Sequence, residues 1–237
     1  MGIDEVSRTW TRLGEEDPLW AVLTDTDKAG GRWREEDFLA TGAEEIAAVL
    51  ARLTELGLDP GRGRALDFGC GAGRLSHGLA QAGFGDVLGL DISPTMLAAA
   101  RRTVTASACR FEQVVGADLA GVATDSVDLV YSCRVLQHMP PSLAHGYARE
   151  FHRVVRPGGV VVFQVPTAPA RTPAGLALRL LPNRVAVRLR RGMEMHGTPE
   201  REVRALVQRS GARVVTADPD TSAGDRWQSR LYVTTPG

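Results

Sequence analysis

The sequence predicts an α/β protein, a doubly wound and mainly parallel sheet with helices on both faces. Three observations carry this. From Arg64 onward, short apolar runs alternate with amphipathic stretches, the pattern of a parallel sheet covered on both sides. The first run, residues 65–68, leads into Gly69, Gly71 and Gly73, so a strand passes through a glycine turn into a helix. The second run, residues 86–91, ends in Asp91, about 20 residues after that turn, where a carboxylate meets a ribose diol in sheets of this kind. A length of 237 residues with 43% hydrophobic content suits one domain with an extended terminus.

Residues 1–63 precede the first strand and are expected to form an N-terminal helical cap. Asp17 followed by Pro18 is a helix start, with aspartate as N-cap and proline at the first helical position. Leu19, Trp20, Val22 and Leu23 supply its apolar side. Ile46, Val49, Leu50, Leu53 and Leu56 recur at a helical period, and Gly57 closes that helix. Trp10, Trp20 and Trp33 either staple this segment to the domain or close over a ligand.

Residues 64–237 form the α/β part. Leu75, Leu79 and Ala82 give its first helix a buried stripe, and Pro94 opens the second, where Met96, Leu97 and Ala100 face inward. A third run covers 111–115, a fourth strand 127–132, a helix 142–154 and a fifth strand 160–165, which Pro166 ends. Residues 167–197 read as an insertion in which leucine and valine interleave with Arg179, Arg184, Arg188, Arg190 and Arg191, and are expected to act as a substrate lid. Thr198 is the expected N-cap of a helix running to Ser210. Residues 212–217 and 229–235 complete a seven-stranded sheet.

The glycine turn binds part of a nucleotide, and its spacing bears on which. A dinucleotide fingerprint needs a third glycine at the sixth position. Counted from Gly69 that position is Arg74, and from Gly71 it is Ser76. Asp67 stands in the strand just before the turn, unfavourable beside a pyrophosphate and favourable beside a cation. S-adenosylmethionine carries an ammonium and a sulfonium and no phosphate.

Four stretches in order resemble the motifs of class I S-adenosylmethionine-dependent methyltransferases: Asp67-Phe68-Gly69-Cys70-Gly71-Ala72-Gly73, Gly89-Leu90-Asp91-Ile92-Ser93, Gly116-Ala117-Asp118 and Val154-Val155-Arg156-Pro157-Gly158-Gly159. The resemblance implies a Rossmann-like methyltransferase fold. It implies S-adenosylmethionine as cofactor, S-adenosylhomocysteine as product, and methyl transfer to an O, N or C nucleophile of a small molecule. The cofactor residues it implies are Asp67, Gly69, Cys70, Gly71, Gly73, Asp91, Ile92, Met96, Ala117, Asp118, Leu119 and Cys133. Some quinone-modifying relatives carry Glu-x-x-Glu-His after strand four and hold a metal; here those positions are Arg134, Gln137 and His138, and no metal is expected.

Residues after strand four face the reacting centre at the topological reversal of the sheet. Arg134 and His138 are therefore candidate substrate contacts, joined by Trp20 and Trp33 from the N-terminal segment and by His196, which precedes the helix on the substrate side. The two histidines are the candidate bases for a nucleophile of high pKa; His138 reads equally as a loop anchor. Net charge is zero, with 28 basic and 28 acidic residues, so no global field draws the chain to nucleic acid or membrane. Three cysteines without metal-ligand spacing, and no targeting or membrane-spanning stretch, imply a cytoplasmic protein. Other readings are an RNA or protein methyltransferase, a non-catalytic cofactor-binding module, and a dehydrogenase, which the missing third glycine disfavours.

Overall fold

The structure, a computed structural model, describes residues 2–173 and 192–237. Most of the arginine-rich part of the expected lid, from Leu176 to Arg191, lies outside the described residues. The strands are β1 (Arg64–Phe68), β2 (Asp86–Asp91), β3 (Cys109–Gln113), β4 (Val127–Ser132), β5 (Val155–Pro169), β6 (Ala212–Asp220) and β7 (Trp227–Pro236). They form one sheet in the order β3-β2-β1-β4-β5-β7-β6. β1 to β5 run parallel, and β7 is antiparallel to both β5 and β6. The chain order reverses between β1 and β4, which opens a crevice at their carboxyl ends.

Side chains alternate across the sheet, and both faces are apolar. Leu66 and Phe68 of β1 pack with Tyr147 and Phe151 of α6 (Pro141–Val154) and lie in one core with Val203 and Val207 of α7 (Glu200–Arg209). Ala65 faces the other way, into a core with Ile46, Val49 and Leu53 of α3 (Glu35–Glu55) and Leu75 and Leu79 of α4 (Arg74–Gln81). Asp67 shares that side and is fully buried.

The N-terminal segment is helical, as expected. In α1 (Ile3–Glu16), Ser7 donates to the Ile92 carbonyl, and the Thr11 carbonyl accepts from Thr95 on α5 (Pro94–Thr103). Asp17 caps α2 (Pro18–Leu23) through the Trp20 N–H, and its second oxygen gathers the N–H groups of Gly30 and Gly31. α3 begins at Glu35, well ahead of the apolar period that starts at Ile46, because Glu35, Glu36 and Asp37 suit a first helical turn.

Other expected boundaries move as well, including β6 and β7, which run past 212–217 and 229–235. β5 starts at Val155, which pairs with Val127 ahead of an irregularity, and continues to Pro169, which pairs with Trp227. The expected insertion thus begins as strand. Thr198 does not cap α7; its N–H is taken by the Pro166 carbonyl, and Pro199 stands at the cap. β3 lies two residues earlier than the apolar run suggested. Among the described residues, no helix is long and apolar enough to cross a membrane.

Two features of the frame are testable. A Cβ on Gly78 of α4 would lie 2.6 Å from the Gly42 carbonyl oxygen of α3, so this helix pair depends on glycine at the contact. Alanine is the better helix former by about 1 kcal/mol, so a net loss isolates the clash. Gly78→Ala is expected to lower unfolding stability by about 1–3 kcal/mol in urea titrations; a more stable variant would contradict the contact. Asp67 has its carboxyl pushed up to about 7 by burial, which outweighs the Ser76 hydroxyl and the Arg74 charge. From about pH 4 to 7 the folded chain then keeps a proton that the unfolded chain has released. Stability therefore falls as pH rises through that window, by an amount on the order of 4 kcal/mol. Asp67→Asn is expected to gain on the parent as pH rises from 4.5 to 7.5, read by urea unfolding at both pH values; parallel curves would contradict it.

Candidate functional site

A cavity of about 720 Å³ opens at the carboxyl ends of β1, β2 and β4. Its floor is the glycine turn. Gly69 and Gly71 have φ of +74° and +52°, and a Cβ on Gly69 would meet Val135 while one on Gly71 would lie 2.8 Å from Val22. Glycine is thus required twice over, for conformation and for room. The Gly69 and Cys70 N–H groups both donate to the Leu90 carbonyl, which ties the turn to β2.

Asp91 stands where that tie ends. One carboxylate oxygen accepts the Gly71 N–H at 2.9 Å and the other the Ser93 N–H at 2.8 Å. Burial raises its pKa, and those backbone donors oppose the rise. Each oxygen keeps a lone pair for a further donor, and Asp91 lines the cavity.

Beyond β4 the chain bends at Arg134, a non-glycine residue with φ +61°. Its N–H donates to Gln164 Oε1 at 3.0 Å. That contact orients a chain of amides. Gln164, fully buried, turns its Nε2 to Ser229 Oγ and to Gln137 Oε1. Gln137 Nε2 then faces His138 Nε2 at 3.0 Å, and His138 Nδ1 faces the Glu194 carbonyl at 2.7 Å. A carbonyl only accepts, so Nδ1 carries the proton and Nε2 accepts from Gln137. The Trp10 ring meets His138 edge-on at 5.0 Å.

The Arg134 guanidinium reaches the other way. Its Nε donates to the Ser222 carbonyl and its Nη1 lies 3.4 Å from Glu45. Glu45 also accepts from the Tyr131 hydroxyl at 2.7 Å and from Arg74 at 2.8 Å. Burial alone would raise the Glu45 carboxyl, but the two guanidinium charges outweigh it and hold it below the ordinary carboxylate value. Arg74 is 2% exposed, and its Nε has no partner among the described residues.

Of the residues singled out from sequence, Trp20, Gly69, Cys70, Gly71, Asp91, Ile92, Met96, Cys133, Arg134 and His138 line this cavity. The others do not. Asp67 lies beneath the turn on Ser76. Gly73 packs toward Val104. Ala117 and Asp118 are exposed, with the Asp118 carboxylate turned back to the Ala120 N–H, while Leu119 is buried on a loop held by Glu150 and Arg153. Trp33 packs on Phe38 under Lys28. His196 pairs with Glu194. The walls also include Val6, Trp10, Met193, Met195 and the loop Thr221 to Arg226, which no motif marks. Among the described residues, no three His, Cys, Asp or Glu cluster as metal ligands would.

Residues 65–159 match the family described as methyltransferase domain. A ubiquinone biosynthesis O-methyltransferase of Xanthomonas oryzae is 30% identical over 152 residues, 63% of this chain and 61% of that one. One from Pseudomonas syringae is 35% identical over 103 residues, 42% of this chain and 43% of that one. The chain thus spans less than two thirds of the length of these curated relatives. Among solved structures, magnesium protoporphyrin IX methyltransferase from Synechocystis, with SAH bound, superposes with a TM-score of 0.67 at 21% identity, covering 98% of both chains. A methyltransferase from Mesorhizobium loti gives 0.61 at 24%, covering 83% of this chain and 99% of that one. The fold is the Rossmann-like methyltransferase fold, and within it residues 65–159 match a methyltransferase domain.

Proposed function

We propose that this chain transfers a methyl group from S-adenosylmethionine to a small-molecule acceptor. The observation that carries the reading is Asp91. It is an acid at the tip of β2 that holds the Gly71 N–H on one oxygen and the Ser93 N–H on the other, and it lines the cavity. Two lone-pair sites suit the two hydroxyl donors of a ribose. The glycine turn leaves backbone open to the amino-acid arm, and Ile92, Val114 and Leu143 offer an apolar slot for adenine. The residues present therefore fit the cofactor.

When bound, the cofactor supplies a methyl group already activated on a sulfonium. The chain's own work is then to bind, align and dry the reactants. Cys133 and Arg134, just past β4, flank the reacting centre. Residues 1–63 act as a cap: Val6 and Trp10 of α1 and Trp20 of α2 wall the cavity opposite the sheet. Residues 167–197 supply a second wall through Met193 and Met195. The relatives named as O-methyltransferases favour oxygen as the acceptor atom. Cys70, Cys109 and Cys133 are free thiols, which suits the reducing cytoplasm.

Asp91→Ala is expected to weaken S-adenosylmethionine and S-adenosylhomocysteine binding alike, since both carry the ribose. The loss should be on the order of 1.5–3 kcal/mol by calorimetry. Unchanged affinity for both would remove Asp91 from the site. S-adenosylhomocysteine should raise the melting temperature where NAD at equal concentration does not; a larger shift with NAD would overturn the methyltransferase reading.

A further inference from the structure

We propose that the acceptor enters this cavity already ionised, as an organic anion on an apolar body, and that Arg134 receives its charge while no side chain serves as general base. The inference rests on the methyl-transfer reading above and names its substrate class.

The first support is the condition of every group that might take a proton. His138 presents Nδ1–H to the Glu194 carbonyl, and its Nε2 lone pair is taken by the Gln137 amide. That polarity is fixed from both ends by backbone, the Arg134 N–H and the Glu194 carbonyl. Freeing Nε2 means turning Gln137 and setting its N–H₂ against that of Gln164. The Tyr147 hydroxyl is spent on the Gly116 carbonyl at 2.5 Å. Burial pushes the Cys133 thiol up to about 12 and holds the Cys70 thiol well above its ordinary value. Glu45 is held by three donors, two of them guanidinium groups, and Asp91 holds the two backbone N–H groups described above.

Asp25 and Asp225 remain, both exposed at the mouth. Residues 174–191 contain no His, Asp, Glu, Cys, Tyr or Lys, so that stretch brings no base.

The second support is geometric as well as electrostatic: Arg74 and Arg134 share the carboxylate of Glu45, and the Asp220 charge also acts on Arg134. Arg134 spends Nε and Nη1 on Ser222 and Glu45, and among the described residues its Nη2 has no partner. A guanidinium held on two sides with its third nitrogen open is pre-organised for an oxyanion. The third support is the walls. Trp10, Trp20, Met139, Met193 and Met195 suit a flat or flexible apolar body.

The step needs no proton transfer. An acceptor oxygen lone pair forms the bond to the methyl carbon as the carbon–sulfur bond breaks. Sulfur keeps that electron pair and becomes a neutral thioether, and the acceptor loses its negative charge.

The test is calorimetry on the full chain saturated with S-adenosylhomocysteine, so that the cofactor's own carboxylate is already in place. The probes are aryl-acetic acids of one to three rings with their amides, and an acidic nitrophenol with unsubstituted phenol. At least one anion should bind about tenfold more tightly than its neutral partner. Arg134→Gln should erase that preference, and Arg134→Lys, which keeps the charge, should retain most of it. The proposal is overturned if anions and neutral partners bind equally or not at all, or if the preference survives Arg134→Gln. Should the glutamine variant lose its cooperative melt, a lysine variant without preference overturns it instead. Failure of the parent chain to bind S-adenosylhomocysteine counts against the methyl-transfer reading, not against this one.

Discussion

The Asp91 carboxylate bridges two pieces of backbone, the glycine turn and the start of α5, and adds to the tie that the Leu90 carbonyl makes between the turn and β2. Gly71 belongs to a turn with left-handed glycines, and Ser93 caps α5 through the Met96 N–H. A single side chain satisfies a donor from each and holds the turn against the tip of β2. The cavity floor depends on this. Without it the glycine turn would keep only the Leu90 carbonyl as an anchor, and the most permissive part of the backbone would also be the least restrained. Burying such a carboxylate is unfavourable unless donors meet it. The two N–H groups offset part of that cost and leave the remainder to be met by a ligand.

A second economy of charge lies on the other side of the turn. Glu45, from the N-terminal segment, reaches into the α/β part to meet Arg74, Arg134 and Tyr131. The N-terminal helices and the sheet are thereby joined by one acid between two guanidinium groups. Breaking such a cluster by removing one partner strands a buried charge, which is the costly case. The β6–β7 loop is drawn into the same cluster through Ser222, so the rim of the cavity is set by contacts between residues far apart in the chain.

That distance explains what the sequence disclosed. β1, β2 and β4 were legible because each is short, apolar and punctuated locally by glycine or an acid, and Asp17-Pro18 marks α2 by itself. Asp91 was legible from its spacing to the turn. The length of β5 was not, because its extension to Pro169 exists only through pairing with Trp227 and Gln228 on β7. Asp118 sits on an exposed loop, where one of its carboxylate oxygens accepts the Ala120 N–H, a contact that only the folded loop reveals. Trp20 and Trp33 were equivalent on paper; packing sends one to the cavity and the other to Phe38 and Lys28. Gln137 and Gln164 carry no motif at all. Their importance lies in which way their amides point, and that is decided by two backbone groups at either end of the chain of bonds.

The account therefore turns on Asp91 and on what it holds. A crystal structure of the chain with S-adenosylhomocysteine tests this most directly. The expected result places both ribose hydroxyls within hydrogen-bonding distance of the Asp91 carboxylate, with the thioether sulfur beside Cys133 and Arg134. A ribose bound elsewhere, with Asp91 still facing empty cavity, would contradict it.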